Sequence, residues 1–330
     1  MGDRETSQRL NYHQLDRPSL EAWLHLCSPL LRNYAKKAIS SDNAKPSTLI
    51  ALGVEWIDAE LGSQKPAALL LAEASSVSTD NQTDSKELCV LSLVVAKPLR
   101  HQGIARALLA HAVQRAQNEG FTVVRFPIPL QSKHSTALHK LTPPSQGWST
   151  TPGEVIVNLS IGEPVETLLQ RLEKVVAHQA RSASWEMKPF PEQQTSSLRQ
   201  RISLAEASQG AGPLQTDRQN DQWAPAADYS RLLTDQNEII GWLITHFVSP
   251  NCLRYARFWV NPGWEKTSAP LAMLADVIRS AHFNQQTAAI PKGCFISHPS
   301  NQLLHHLVVK QFKPVSDSWM QLEHRVLMIT

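Results

Sequence analysis

The stretch from Glu87 to Gly120 constrains this chain more than any other. Leu88–Val95 is a near-continuous apolar run of the kind found in strands buried on both faces. Pro98 stops it, because proline has no N–H to offer a ladder. After a turn containing Arg100 and Gly103, the residues Ile104, Leu108, Ala112 and Val113 recur at mostly three- and four-residue spacing. That spacing predicts an amphipathic helix, which Gly120 closes. A strand, a tight turn and a helix in this order collect unpaired backbone N–H groups and the positive end of a helix dipole in one small volume. Such a place suits an anion, most often phosphate.

The turn lacks Gly-x-x-x-x-Gly-Lys-Ser/Thr and Gly-x-Gly-x-x-Gly, so neither the Walker loop nor the dinucleotide fingerprint is present. The pattern Arg100-x-x-Gly103-x-Ala105, following Val94-Val95, instead resembles the pyrophosphate loop of the GNAT acyltransferase superfamily. A second predicted strand, Thr122–Phe126, follows the helix as it does in that family. The resemblance implies acetyl-CoA as cosubstrate, with no metal. It implies cofactor contacts from Val94, Val95, Arg100, His101, Gln102, Gly103, Ile104, Ala105 and Arg106. Gly103 permits close backbone approach, Arg100 and Arg106 add positive charge, and Ala105 is small.

A length of 330 residues points to two domains. The 42% hydrophobic and 18% charged residues are those of a globular chain. A formal net charge of +3 with scattered Lys and Arg gives no footprint for nucleic acid. No apolar run reaches the roughly 18 residues of a membrane span, and the polar Met1–Arg9 has no export signal, so a cytoplasmic protein with no membrane partner is expected. The four cysteines (Cys27, Cys89, Cys252 and Cys294) are far apart, and the 13 histidines form no His-x-x-x-His or His-Glu-x-x-His. No metal site is predicted.

The expected fold class is α/β, with two GNAT-like domains. Each is a mixed, mostly antiparallel sheet with a central β-α-β unit flanked by helices. Residues 1–161 form the first domain. Its predicted elements are a helical segment Pro18–Lys37 that Pro29 kinks or splits, strands Leu49–Ile57 and Ala67–Ala74 joined through Gly62 and Pro66, and a flexible loop Ser75–Lys86. The Glu87–Gly120 unit follows, then Thr122–Phe126, a short helix around Ser135–Leu141, and a closing strand Glu154–Leu159. A linker helix occupies 162–183, with Val165, Leu168, Leu169, Leu172, Val175 and Val176 at helical spacing. After a polar patch, Pro191–Asn220, the plan restarts in 184–330. A hairpin turns at Asp235-Gln236-Asn237, and strand Leu253–Val260 leads into helix Ser268–His282. Strand Gly293–Ile296, helix Asn301–Lys310 and strand Trp319–Val326 complete it. Val95-Ala-Lys-Pro98 aligns by eye with Trp259-Val-Asn-Pro262. The second loop departs from the motif: it has no Arg-x-x-Gly, Glu265 would repel pyrophosphate, and Pro270 removes a donor.

The proton-handling residues are harder to read. The position that carries a tyrosine in many GNAT enzymes is Leu141 here, and Val308 in the second half. Glu87, at the head of the central strand, is the catalytic candidate. Glu55 and Glu73, among apolar strand residues, face either the cleft or solvent, and His134, His139 and His101 are further candidates with ordinary surface or structural alternatives. The predicted function is acetyl-CoA-dependent N-acetyl transfer directly to an amine, on a small molecule or a protein. The alternative is a non-catalytic acyl-CoA-binding or assembly protein on the same scaffold, with a protein partner.

Overall fold

The computed structural model describes residues 9–40, 49–57, 63–79, 82–179, 184–191, 195–209, 225–284 and 289–329. They form two compact units, residues 1–152 with 322–330, and residues 153–321.

The first unit runs β1 (Arg9–Gln14), α1 (Arg17–Glu21), α2 (Pro29–Ser40), β2 (Leu49–Ile57), β3 (Gln64–Thr79), β4 (Gln82–Val95), α3 (Ile104–Asn118), β5 (Val123–Pro129) and α4 (Ser135–His139). Asp16 caps α1 by accepting from the Ser19 amide at 2.9 Å, and Pro18 sits in the first turn. Pro29 begins α2, so the predicted helical segment is split rather than kinked. The strands pair in sequence order β1 to β5, all antiparallel except β4 with β5.

Side-chain alternation then gives this sheet two apolar faces. Ala68, Leu70 and Ala72 of β3 and Leu88 and Val90 of β4 pack on Ile104, Leu108 and Ala112 of α3. Leu69 and Leu71 of β3 pack with Trp23, Leu24 and Ala35 of the α1–α2 region. Gly53 is required on that second face, since a Cβ there would lie 2.7 Å from the Trp23 ring.

The second unit holds the end of β6 (Trp148–Ser160), α5 (Glu163–Gln179), β7 (Trp185–Pro189), α6 (Ser196–Gln209), β8 (Arg231–Asp235), β9 (Glu238–Ser249), β10 (Cys252–Val260), α7 (Ala269–His282), β11 (Lys292–Ser297), α8 (Gln302–Leu307) and the start of β12 (Ser318–Met328). The sheet order is β6-β11-β10-β9-β8-β7. Gln236 and Asn237 both have positive φ, 45° and 70°, as a tight hairpin between β8 and β9 requires. Val165, Leu168, Leu169 and Leu172 of α5 join Met273 and Val277 of α7 in the main core. Tyr255 is buried there, its hydroxyl 2.8 Å from Nε2 of His282, whose Nδ1 donates to the Ile290 carbonyl.

Three expectations differ from the structure. The strand expected to close the first domain, Glu154–Leu159, pairs antiparallel with β11 in the second unit. The one expected to close the second, Trp319–Val326, instead gives residues 322–328 to β5 in the first unit. Period-two alternation marks a strand and its buried face but not the edge it joins, so the exchange has no local signature. The run Ser75–Lys86 is not a loop: β3 reaches Thr79 and β4 starts at Gln82, paired in register from Ser75–Glu87 through Val77–Ser85 to Thr79–Gln82. Within the polar patch Pro191–Asn220, α6 occupies Ser196–Gln209, with Ile202 and Ala205 buried against Trp242. Gly62 and the remainder of that patch from 210 onward lie outside the described residues.

Candidate functional site

In the first unit the central strand diverges from its parallel neighbour. Among the described residues, β4 pairs with β5 only at Glu87–Cys89 against Val123–Arg125. On its other edge β4 pairs with β3 throughout, with a bulge at Leu91, since Leu71 opposes Ser92 while Ala72 opposes Val90. From Val90 to Val95 the β5-side edge of β4 is therefore open among the described residues. Val94 and Val95 lie at the end of that edge.

The chain leaves β4 through a single 3₁₀ turn, Lys97–Leu99, and enters α3 at Gly103. His101 and Gly103 both have left-handed backbone, φ 69° and 80°. This geometry is easy for glycine and costs about 1 kcal/mol for histidine. Ile104 is buried and anchors the first turn of α3 in the core, whereas Arg100, His101, Gln102 and Arg106 are exposed and Ala105 half-buried. The first helical bond runs from the Ala107 amide to the Gly103 carbonyl, so the amides of Ile104, Ala105 and Arg106 have no acceptor in the helix. Arg100 folds its Nε onto the Val95 carbonyl at 3.1 Å, placing the guanidinium beside the open edge. The sequence-predicted cofactor residues are thus gathered at one end of the open edge, around unpaired N–H groups.

The candidate acids and bases fall elsewhere. Glu87 receives both arms of Arg125, Nε at 2.6 Å and Nη2 at 2.8 Å, and Arg125 Nη1 lies 3.1 Å from Nδ1 of His324 on the C-terminal strand. Both carboxylate oxygens of Glu87 are engaged. Glu55 pairs with His13 at 3.0 Å near the sheet edge. His134 is the exposed cap of α4, and Nδ1 of His139 lies 3.3 Å from Glu323. Leu141 packs against the core, so its position offers no hydroxyl. Glu73 is the carboxylate beside the bulge, paired across the ladder with Cys89. Its Oε1 accepts from the Tyr34 hydroxyl at 2.6 Å, and burial together with this carboxylate pushes the Tyr34 phenol up. Among the described residues Oε2 of Glu73 has no hydrogen bond. The Tyr34–Glu73 pair joins α2 to β3 across 39 residues, and no spacing in the sequence announces it.

The second unit repeats this plan position for position. Strands β10 and β11 pair in parallel from Cys252–Lys292 to Tyr255–Phe295 and then diverge. The bulge recurs at Ala256, since Thr245 opposes Tyr255 and Ile244 opposes Arg257. The amide of Asn261 bonds to the Ile240 carbonyl as that of Ala96 bonds to Ala67. Val260 therefore matches Val95, and the alignment made by eye is one residue out of step. Arg257 then matches Ser92, Arg254 matches Cys89 and His246 matches Glu73.

The second loop is chemically different. The Trp264 amide bonds to the Asn261 carbonyl as that of Leu99 bonds to Ala96, but here Gly263 also donates to the Asn261 side chain at 2.9 Å, Thr267 to the Trp264 carbonyl, and Ala269 to the Thr267 hydroxyl at 3.2 Å. Pro270 has no N–H. Asn301 is also committed, giving its Nδ2 to the Phe258 carbonyl at 2.7 Å while capping α8 at the Leu304 amide.

Among the described residues no three His, Cys, Asp or Glu side chains are grouped to hold a metal, and no helix is long and apolar enough to cross a membrane. Residues 16–142 match the acetyltransferase (GNAT) family model. No curated protein sequence matches the chain. Among solved structures, a tandem GNAT protein from the clavulanic acid biosynthesis pathway aligns at 12% identity over 97% of this chain and 98% of its own, with a TM-score of 0.62. A GCN5-related N-acetyltransferase from Sphaerobacter thermophilus aligns at 10% identity over 97% and 96%, with a TM-score of 0.59. A fungal multi-domain GH3 β-N-acetylglucosaminidase, described as containing a GCN5-related glucosamine N-acetyltransferase region, aligns at 13% identity and a TM-score of 0.65, and this chain spans 39% of its length. The chain thus has the fold of tandem GNAT proteins along its length, and residues 16–142 match the GNAT acetyltransferase family model.

Proposed function

We propose that the first unit binds acetyl-CoA at the Arg100–Arg106 loop and transfers the acetyl group directly to an amine. The observation that carries this reading is the contrast between the two loops. The α3 entrance keeps its amides unpaired around a left-handed Gly103, while at the matching α7 entrance Ala269 is bonded to the Thr267 hydroxyl and Pro270 has no N–H. A diphosphate would take those amides and the charges of Arg100 and Arg106. The open β4 edge, Val90–Val95, supplies backbone donors for the pantetheine arm and for the thioester carbonyl.

Acetyl-CoA supplies an activated acyl group, and the protein supplies position and proton handling. Glu73 is better placed than Glu87 to take the ammonium proton. Cys89, its ladder partner, is two residues from the bulge, about 7 Å along the strand. Glu87 is four residues away, and Arg125 occupies both its oxygens. The amine lone pair forms the new C–N bond to the acetyl carbon as the C–S bond breaks. Glu73 removes one proton from nitrogen, and the second neutralises the departing thiolate through water, consistent with Leu141 offering no acid.

The test is thiol release from acetyl-CoA with a broad amine panel, comparing the wild type with Arg100→Glu. Amine-dependent release that Arg100→Glu reduces at least tenfold supports transfer. Saturable acetyl-CoA binding with no release by any amine would leave a binding protein instead.

A further inference from the structure

The second unit has lost its diphosphate loop but not its groove. Where β10 and β11 diverge there is a cleft of about 690 Å³, within the range that holds small organic ligands. In a regular strand Arg254 and Arg257 would point to opposite faces. The bulge at Ala256 turns them to the same face as Trp259, and all three line the cleft with Phe258. His246, beside Arg254 in register on β9, is pushed down to about 4 by burial and by the charges of Arg254 and Arg257. It is therefore neutral at physiological pH. Glu154 and Glu265 line the same cleft, so a polyanion meets repulsion in it, whereas a single negative charge can settle between the arginines. The aromatic wall adds an apolar surface: Trp259 packs tilted against buried Trp242, with centroids 4.5 Å apart.

We propose that this cleft is a second ligand site, specific for a small organic monocarboxylate with an apolar body and closed to nucleotides. A carboxylate can be held bidentately by a guanidinium while its apolar body lies on the Trp259 ring. The site is independent of acetyl-CoA binding by the first unit.

The experiment is calorimetry on the full chain with aryl and alkyl monocarboxylates of three to ten carbons, each paired with its neutral amide. Expected is saturable binding of at least one acid, at least tenfold tighter than its amide and unaffected by saturating acetyl-CoA. Arg257→Gln, at an exposed position, should weaken it at least tenfold while leaving acetyl-CoA binding within twofold of the wild type. Arg254→Gln should do the same. If that variant fails to fold, Arg257→Gln and the NMR titration of His246 carry the test, the bound acid being expected to raise the histidine pKa. No saturable binding by any acid, equal binding of acid and amide, or displacement of the acid by acetyl-CoA would overturn the proposal. Because the readout is acid binding, it fails or succeeds separately from acetyl transfer.

Discussion

Gly103 and Gly120 bracket α3 and form a matched pair. Both have left-handed backbone, φ 80° and 72°, and at both an added Cβ would meet no atom within 4 Å. An alanine at either site therefore carries the same backbone penalty, about 1 kcal/mol, and no steric one. For a unit of this size that lowers the melting temperature by about 2–4 °C in each case. The two differ only in surroundings. The Cβ of Gly103→Ala occupies open space at the N-terminal entrance of α3, where a ligand would approach the unpaired amides, whereas that of Gly120→Ala lies at the other end. Losing close approach to even one or two charge-assisted hydrogen bonds costs about 1.5–3 kcal/mol, roughly 10- to 150-fold in affinity. Calorimetric titration with acetyl-CoA, alongside thermal melts, separates the two effects. Gly103→Ala should bind at least tenfold more weakly and Gly120→Ala within twofold of the wild type, at equal loss of stability. Equal affinities for the two variants would refute the assignment of the loop.

Glu73→Gln should lower amine-dependent turnover by about 10²-fold or more while leaving acetyl-CoA affinity within twofold, measured by thiol release and calorimetry. A parallel loss in Glu87→Gln alone would move the base to Glu87. Stability should fall on acidification through His246. Burial, then Arg254 and Arg257, hold its folded-state pKa down to about 4, below the usual 6.5. The unfolded chain thus takes up its proton first, and stability is complete above the unfolded value. It is lost as pH falls from 6.5 toward 4, about 1–2 kcal/mol by pH 5 in denaturant titrations, with His246→Gln flattening the slope. Buried Arg325 on the C-terminal strand bonds to the Thr142 carbonyl and the Thr150 hydroxyl. Arg325→Ala should destabilise the first unit by about 2–4 kcal/mol, read by thermal or chemical denaturation.

The sequence was most legible where one physical signal sufficed. Apolar runs and helical spacing place β2, α3, α7 and the C-terminal end of β4 within a residue or two, because burial pattern alone defines them. The turn into α3 was legible because glycine at a left-handed position leaves a mark in the chain. Relations between distant residues were not. The exchange of the 322–328 strand into the first unit depends on edge choice, and the Tyr34–Glu73 pair on how α2 packs over β3. The two bulges hide in apolar alternation: Leu91 and Ala256 each shift the face of the residues after them. Matching Pro98 with Pro262 puts the by-eye alignment one residue out of step, because the two prolines sit at different points after their strands. Glu265 and Pro270 were read as damage to the second loop. Its internal hydrogen bonds are the fuller physical reason that it differs from the first.

The central claim is that only the first loop holds acetyl-CoA. Its most direct measurement is the stoichiometry of acetyl-CoA binding to the full chain by calorimetry, in the wild type and in Gly103→Trp. One site per chain in the wild type, abolished by Gly103→Trp, is the predicted result. No binding, or one site that survives Gly103→Trp, would contradict it.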